Sequence, residues 1–220
     1  RQRQMCIRDS LYARCDNLTA ETKGEFVIVR ANYTLPDGQT LPIDFAIDGA
    51  GRCDITMTWQ GEHTELPEFG LLFPLRRELT EVSYLGLGPQ ETTADRTAGG
   101  KMGAWSYNVR QDFAQNTPVY PQECGSRTGV YRADLTGAIP GICFAGDSMT
   151  FSALPYTPHE LENARHLYEL PRDGNKTVVR CAAFQRGVGG DNSWGAKPHE
   201  NVCFTIEKEI RFRFALSKQI

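Results

Sequence analysis

Residues 25–59 read EFVIVRANYTLPDGQTLPIDFAIDGAGRCDITMTW, and their reading decides the fold class. Phe26, Ile28 and Tyr33 lie in a run rich in β-branched and aromatic residues, which suit a half-buried pleated surface. The run ends at Leu35-Pro36-Asp37-Gly38. Proline presets φ there, and Asp-Gly tolerates positive φ, so the chain turns. From Leu41 to Asp48 apolar and polar residues alternate, as in a strand with one wet face. Asp48-Gly49-Ala50-Gly51 turns the chain again, and Cys53 to Trp59 supplies a third strand. Strands joined by tight turns in this way form an antiparallel meander.

The same punctuation continues towards the C-terminus. Leu66 to Leu75 is apolar but holds Pro67 and Pro74, which suits edge or irregular structure because proline gives no ladder N–H. Further strands are predicted at Glu81–Leu87, Trp105–Arg110, Gly129–Leu135, Ile142–Ala145, Met149–Leu154, Thr177–Phe184 and Val202–Leu216. One helix is predicted from Pro158 to Arg165, with Thr157 as its cap, Pro158 at the first helical position and an acidic first turn at Glu160. Many short strands and one short helix give an all-β chain, a large antiparallel β-sandwich. No internal repeat is visible. The Pro/Gly-rich stretch 61–74 is the candidate seam within it.

The 220 residues are 40% hydrophobic and 23% charged, a globular composition long enough for a real core. A net charge of -3 lacks the basic footprint of a nucleic-acid binder. No apolar run approaches the roughly 20 residues of a membrane helix. The seven cysteines are odd in number, scattered and without a C-x-x-C pair, so neither a zinc ribbon nor a thioredoxin-type site is expected. Such cysteines act as small buried hydrophobes in a reducing compartment, which points to the cytoplasm, with a periplasmic or exported location as the alternative. Residues 1–10, ending Met5-Cys6-Ile7-Arg8-Asp9-Ser10, match the translated end of a transposon-type sequencing adapter. They are read as a non-native scar, with 11–220 as the protein proper.

Known catalytic motifs are incomplete. His159-Glu160-Leu161-Glu162-Asn163 lacks the second histidine of H-E-x-x-H, and Gly86-Leu87-Gly88-Pro89 lacks the third glycine of a dinucleotide loop. The unusual run is Gln185 to Gly195, QRGVGGDNSWG. Gly187, Gly189 and Gly190 give the backbone freedom denied to other residues, and Asp191 and Asn192 offer polar caps. Trp194 follows; an exposed tryptophan there suits stacking on a sugar ring, and one folded under its own loop would be a plug. Glycosidases need two carboxylates roughly 5 to 10 Å apart, and Glu65, Glu68, Glu91, Asp95, Glu123 and Asp191 are available. The segments Glu91–Arg96 and Glu123–Arg127 each hold an acid and an arginine, and read as ion pairs that tie loops together. Carboxylates paired in this way keep a low pKa and make poor general acids.

Four blocks together resemble a known family. They are Tyr84 to Glu91 (YLGLGPQE) with Asp95-Arg96, Pro118 to Arg127 (PVYPQECGSR), Phe151–Leu161 with His166–Leu170, and Gly187 to Trp194 (GVGGDNSW). In order and approximate spacing they resemble the C-terminal domain of family 2 glycoside hydrolase β-galactosidases. The likeness is clear from about Leu66 to Phe214 and weaker from Glu25 to Gly61. Thr92-Thr93-Ala94 stand where that family has an aromatic residue. The resemblance implies a galactose-mutarotase-like sandwich, the last domain of a longer enzyme or its separate small subunit. It implies retaining hydrolysis of terminal β-galactosides such as lactose, with the catalytic glutamates on a preceding (β/α)8 barrel or large subunit. Such a barrel takes about 250 residues and is absent here, so no catalytic residue is expected in this chain and the chain alone is expected to be inert. Trp194 maps onto the tryptophan that stacks on sugar or aglycone, with Asp191 and Asn192 beside it and the glycines shaping the loop. Mg²⁺ and sometimes Na⁺ serve the complete enzyme, with no metal ligand assigned here. The implied partners are a β-galactoside, the barrel portion and further copies in an oligomer, with neither nucleic acid nor membrane. Two other readings stand beside this one. One is a free-standing carbohydrate-binding module built on Trp194. The other is an aldose mutarotase or epimerase, which needs a glutamate base and a histidine acid drawn from His63, His159, His166 and His199.

Overall fold

The computed structural model of the protein describes residues 13–61, 64–172, 174–192 and 195–219. The expected scar at 1–10 and the side chains of His63, Ser193 and Trp194 therefore lie outside the described residues. The chain opens with the meander read from the sequence: β2 (Phe26–Thr34), β3 (Thr40–Ile47) and β4 (Cys53–Gln60), preceded by β1 (Arg14–Lys23). There follow β5 (Thr64–Leu66), β6 (Glu68–Arg76), β7 (Leu79–Gly88), β8 (Lys101–Asn108), helix α1 (Val109–Asn116), β9 (Arg127–Gly137) and β10 (Ile142–Leu154). Helix α2 (Pro158–Asn163), β11 (Lys176–Gln185), β12 (Phe204–Ile206) and β13 (Glu209–Lys218) complete it.

All the strand pairings are antiparallel. One sheet runs β1-β2-β3-β4-β13-β10-β9-β7-β8, and β11 joins β10 to β6. Strand β10 is what turns this sheet into a sandwich. Its first part, Ile142 to Gly146, pairs with β13, whereas Thr150 to Leu154 pair with β11. Between them the register against β9 shifts, and Ser148 sits at a φ of 72°. A bulge of this kind bends a strand, so the β11–β6 arm can leave the first layer and fold over it. The side chains record the closure. The Phe73 ring of β6 lies 5.4 Å from Phe144 of β10 and 5.9 Å from Phe214 of β13, edge-on to both. Cys181 Sγ of β11 is 3.4 Å from Met149 Sδ. β4 shows why this burial follows from the sequence: Ile55, Met57 and Trp59 point into the core, and Thr56 and Thr58 between them do not.

A smaller core lies beneath the two helices. Phe113 of α1, Cys124, Leu154, Leu161 of α2 and Leu170 form it, with Tyr156 packed edge-on against Phe113 at 5.1 Å. The junction between α1 and β9 is an ion pair. Arg127 meets both carboxylate oxygens of Asp112 at 2.6 and 2.7 Å, with the two side chains only 2% and 5% exposed. The same guanidinium donates to the carbonyls of Gly125 and Pro89 and lies 4.4 Å over the Tyr107 ring.

Several elements differ from the sequence reading. The expected strand over Trp105–Arg110 stops at Asn108, whose side chain accepts the amides of Arg110 and Gln111 and starts α1. The described residues thus hold two α-helices where the sequence predicts one. Ile142–Ala145 and Met149–Leu154 are halves of one strand joined through the bulge. Val202–Leu216 divides into β12 and β13 after a short 3-10 turn at Glu200–Val202. β1 was not anticipated at all; every residue of it is exposed, so it carries no buried-face periodicity. Helix α2 has the predicted start, with a capping box between Thr157 and Glu160.

Removing one member of a buried ion pair strands the other. Asp112→Ala should therefore cost about 3–5 kcal/mol in urea unfolding. Arg76→Ala, which breaks an exposed pair with Glu78, should leave the midpoint unchanged.

Candidate functional site

Three connections meet where β7 and β11 end and β9 begins: residues 89–96, 117–126 and 186–203. Between them lies a polar cavity of about 70 Å³, lined by Glu91, Arg96, Gln122, Glu123, Gln185 and Val188 among others. Its walls are pinned by hydrogen bonds. Ser126 Oγ donates to Gln185 Oε1 at 2.7 Å, the Thr92 amide donates to the Ser126 carbonyl at 2.8 Å, and the Thr128 amide donates to Thr92 Oγ1 at 2.9 Å.

The two acids of the cavity are both engaged. Glu91 accepts from Arg96 at 2.9 Å and from the Gly125 amide. Glu123 pairs with Arg180 of β11, which also meets Glu68 at 2.9 Å. The arginine nearest Glu123 in sequence, Arg127, is taken by Asp112 instead. The expected Glu91–Arg96 pair thus forms, whereas a Glu123–Arg127 pair does not. Adjacency in a loop did not decide that partner: Arg127 begins β9 and points beneath α1, and Arg180 comes across from β11.

The glycine-rich run is anchored by a residue outside it. Asp95 Oδ2 accepts the amides of Gly189 at 2.7 Å and Val188 at 3.2 Å, and its Oδ1 accepts the Thr93 hydroxyl at 2.6 Å. Burial alone would push the Asp95 carboxyl up, but the donors from Thr93, Gly189 and Val188 outweigh it and hold the group below the usual value. A second clamp lies just before, where the Gly187 amide donates to the Val202 carbonyl at 2.9 Å. The glycines serve this packing in a way composition does not reveal. Gly187, Gly189 and Gly190 all avoid the left-handed region, in which Gly195 sits at φ +100°. Their need is closeness: a Cβ on Gly190 would stand 2.3 Å from the Ala196 carbonyl oxygen, and one on Gly187 would stand 2.7 Å from a Val202 methyl.

Asp191 and Asn192 are exposed at the far end of the run. Asp191 meets His199 Nε2 at 2.7 Å, and that hydrogen bond raises the His199 pKa. His159 contacts Asn163, and His166 stacks between Tyr120 and Tyr168. None of these three histidines lines the cavity. Asp95, Asp112 and Arg180 were the residues that sequence reasoning missed in these roles. The Thr93-x-Asp95 spacing, able to close a side-chain turn, was the one local hint.

Compared with known families, residues 4–216 match the one described as beta galactosidase small chain. The chain belongs to that family. Among curated relatives of this small chain, a beta-galactosidase of Lactobacillus delbrueckii subsp. bulgaricus is 36% identical over 211 residues, covering 93% of this chain and 20% of that protein. One from Halalkalibacterium halodurans is 33% identical over 219 residues, 95% of this chain and 21% of its own length. A beta-galactosidase small subunit of Latilactobacillus sakei is 32% identical over 213 residues, 90% of this chain and 65% of that protein. The chain therefore spans about a fifth of the length of the first two relatives. A solved galactose mutarotase-like protein from Lactobacillus casei overlays it with a TM-score of 0.44 at 9% identity, covering 92% of this chain and 72% of that one.

The Asp95 anchor should be present above the ordinary aspartate pKa of about 3.9 and lost as pH falls through its depressed folded value. Asp95→Asn should speed hydrogen exchange at the Val188 and Gly189 amides about tenfold or more at neutral pH, since a charge-assisted bond is worth about 1.5–3 kcal/mol.

Proposed function

We propose that this chain is the C-terminal part or small subunit of a β-galactosidase that hydrolyses terminal β-D-galactosides of the lactose type with retention. The observation that carries this reading is the small-chain family match over residues 4–216. In it, the nucleophile and acid/base glutamates stand on a (β/α)8 portion that is not in this chain, and a galactosyl–enzyme ester forms and is hydrolysed there. Nothing in the cavity competes for that role, because Glu91 and Glu123 are both held by arginine.

This chain would then complete the pocket. Trp194 would lay its ring on the sugar or aglycone, and Asp191 and Asn192 would offer polar contacts to hydroxyls. Asp95 and Val202 fix the backbone just ahead of these residues, so that their placement costs little order on binding. Mg²⁺ and Na⁺ belong to the complete enzyme in this reading. Among the described residues no group of three or more His, Cys, Asp or Glu could hold a metal ion. Cys143 and Cys181 are buried thiols, which supports a cytoplasmic setting. Among the described residues no helix is long and apolar enough to cross a membrane.

The test is complementation. The chain alone should not cleave a nitrophenyl β-galactoside. Mixing it with the catalytic large subunit of a two-subunit β-galactosidase should raise the rate, and Trp194→Ala should lower kcat/KM of the mixture by about tenfold or more, equivalent to about 1.4 kcal/mol. No rise on mixing would defeat the separate-subunit form. Galactose binding by the chain alone, abolished in Trp194→Ala, would instead mark a carbohydrate-binding module.

A further inference from the structure

Beside the cavity, the described surface carries a stacked cluster of exposed aromatic and apolar side chains. The Tyr120 ring stacks on His166 at 6.3 Å and 26°, and His166 stacks on Tyr168 at 5.1 Å and 15°. Val119 precedes Tyr120 in the chain, and Leu167 lies between His166 and Tyr168. Exposure is 85% for Val119, 66% for Tyr120, 49% for Leu167 and 81% for Tyr168. Large exposed apolar groups gathered in this way mark interaction sites, whereas scattered ones need no explanation.

Two segments far apart in sequence build the column, and both are mounted on the smaller core. Cys124 anchors the 117–126 connection, while Leu161 and Leu170 anchor either side of His166 to Tyr168. The short 3-10 turn Leu167–Glu169 is tied further by the Arg165 amide, which donates to the Glu169 carboxylate at 2.7 Å. The rings are therefore held in place before any partner arrives, which lowers the ordering cost of binding.

Their position lies close to the cavity along the chain. Pro118 and Gln122 line the polar cavity, and Val119 and Tyr120 stand between them in the chain. The cavity's other wall is Val188, whose amide Asp95 holds at the start of the run leading to Trp194. The stack is thus continuous with the face that carries the glycine-rich loop. In the first two relatives about four-fifths of the polypeptide lies outside the matched region, and that portion has to reach the same face to share a pocket with it.

We propose that Val119, Tyr120, His166, Leu167 and Tyr168 form the docking surface for the catalytic portion of the β-galactosidase. The assignment rests on the function proposed above and adds to it the place of contact. Tyrosine-rich, rigid, apolar clusters beside polar ground have the make-up of interface hot spots. The partner surface they fit is apolar at its centre with a polar rim.

The experiment is calorimetric titration of the full chain with the catalytic large subunit used for complementation. A Tyr120→Ser/Tyr168→Ser double variant should bind at least about 30-fold more weakly, the loss expected for one hot-spot residue or more. Val119→Glu, which leaves the ring column intact, should give a loss of the same direction with unchanged circular dichroism. Leu18→Ser, on the exposed β1, should bind within about threefold of wild type. Wild-type affinity in both the double variant and Val119→Glu overturns the assignment. So does a loss confined to self-association of the chain, which would give the surface to a second copy. If the unaltered chain forms no complex and restores no activity, the functional reading falls and takes this surface with it. Complementation that survives in both surface variants with undiminished affinity leaves that reading standing and overturns the surface alone.

Discussion

Asp112 and Arg127 form the contact on which the candidate site depends. Burying two charges is expensive, and their mutual attraction offsets this only with good geometry and further partners. Here the geometry is two-pronged, and the arginine also collects the carbonyls of Gly125 and Pro89. Those carbonyls belong to two of the three connections around the cavity. One guanidinium thus sets helix α1, strand β9, the turn after β7 and the connection before β9 with respect to each other. An apolar substitute could fill the same volume, but it could not tie α1 and the two connections to β9 through hydrogen bonds.

The layers behind the site owe their arrangement to β10. A strand that serves β13 along its first half and β11 along its second makes one continuous hydrogen-bonded network out of two packed faces. Strand β11 is the beneficiary, being buried along nearly its whole length. One of its faces meets the main core through Val179 and Cys181. The other brings Arg180 to Glu123, so the same strand that fills the sandwich also braces the cavity wall.

How much of this could be read beforehand follows from what each signal measures. The meander was legible because one face of each strand is wet and the turns carry Pro-Asp-Gly or Asp-Gly chemistry. β1 was not, because an edge strand exposed on every residue leaves no alternation to detect. Helix α1 hid because it is only eight residues long and buries little beyond Val109, Asp112 and Phe113; its sole sequence mark was the asparagine before it. In the site, the glycine-rich run, Glu91 and Arg96 stood out as unusual residues. Their partners did not, since Asp95 reaches Gly189, and Glu123 reaches Arg180, only through the folded sheet. Even the glycines were noticed for a different property from the one they supply. Composition advertises freedom of the backbone, and the structure uses absence of a side chain where Val202 and Ala196 press close.

The two clamps on the 186–203 connection have a consequence for how such proteins can diverge. Gly187 is tied to Val202 across the base of the loop, and Gly189 is tied to Asp95 of another connection, so the ends of the loop are held together independently of its tip. Closing a longer segment between fixed ends adds only about 0.6 kcal/mol per doubling of length. The stretch between the clamps is therefore an exchangeable cassette. It can lengthen, shorten or change chemistry while the sandwich beneath it stays the same.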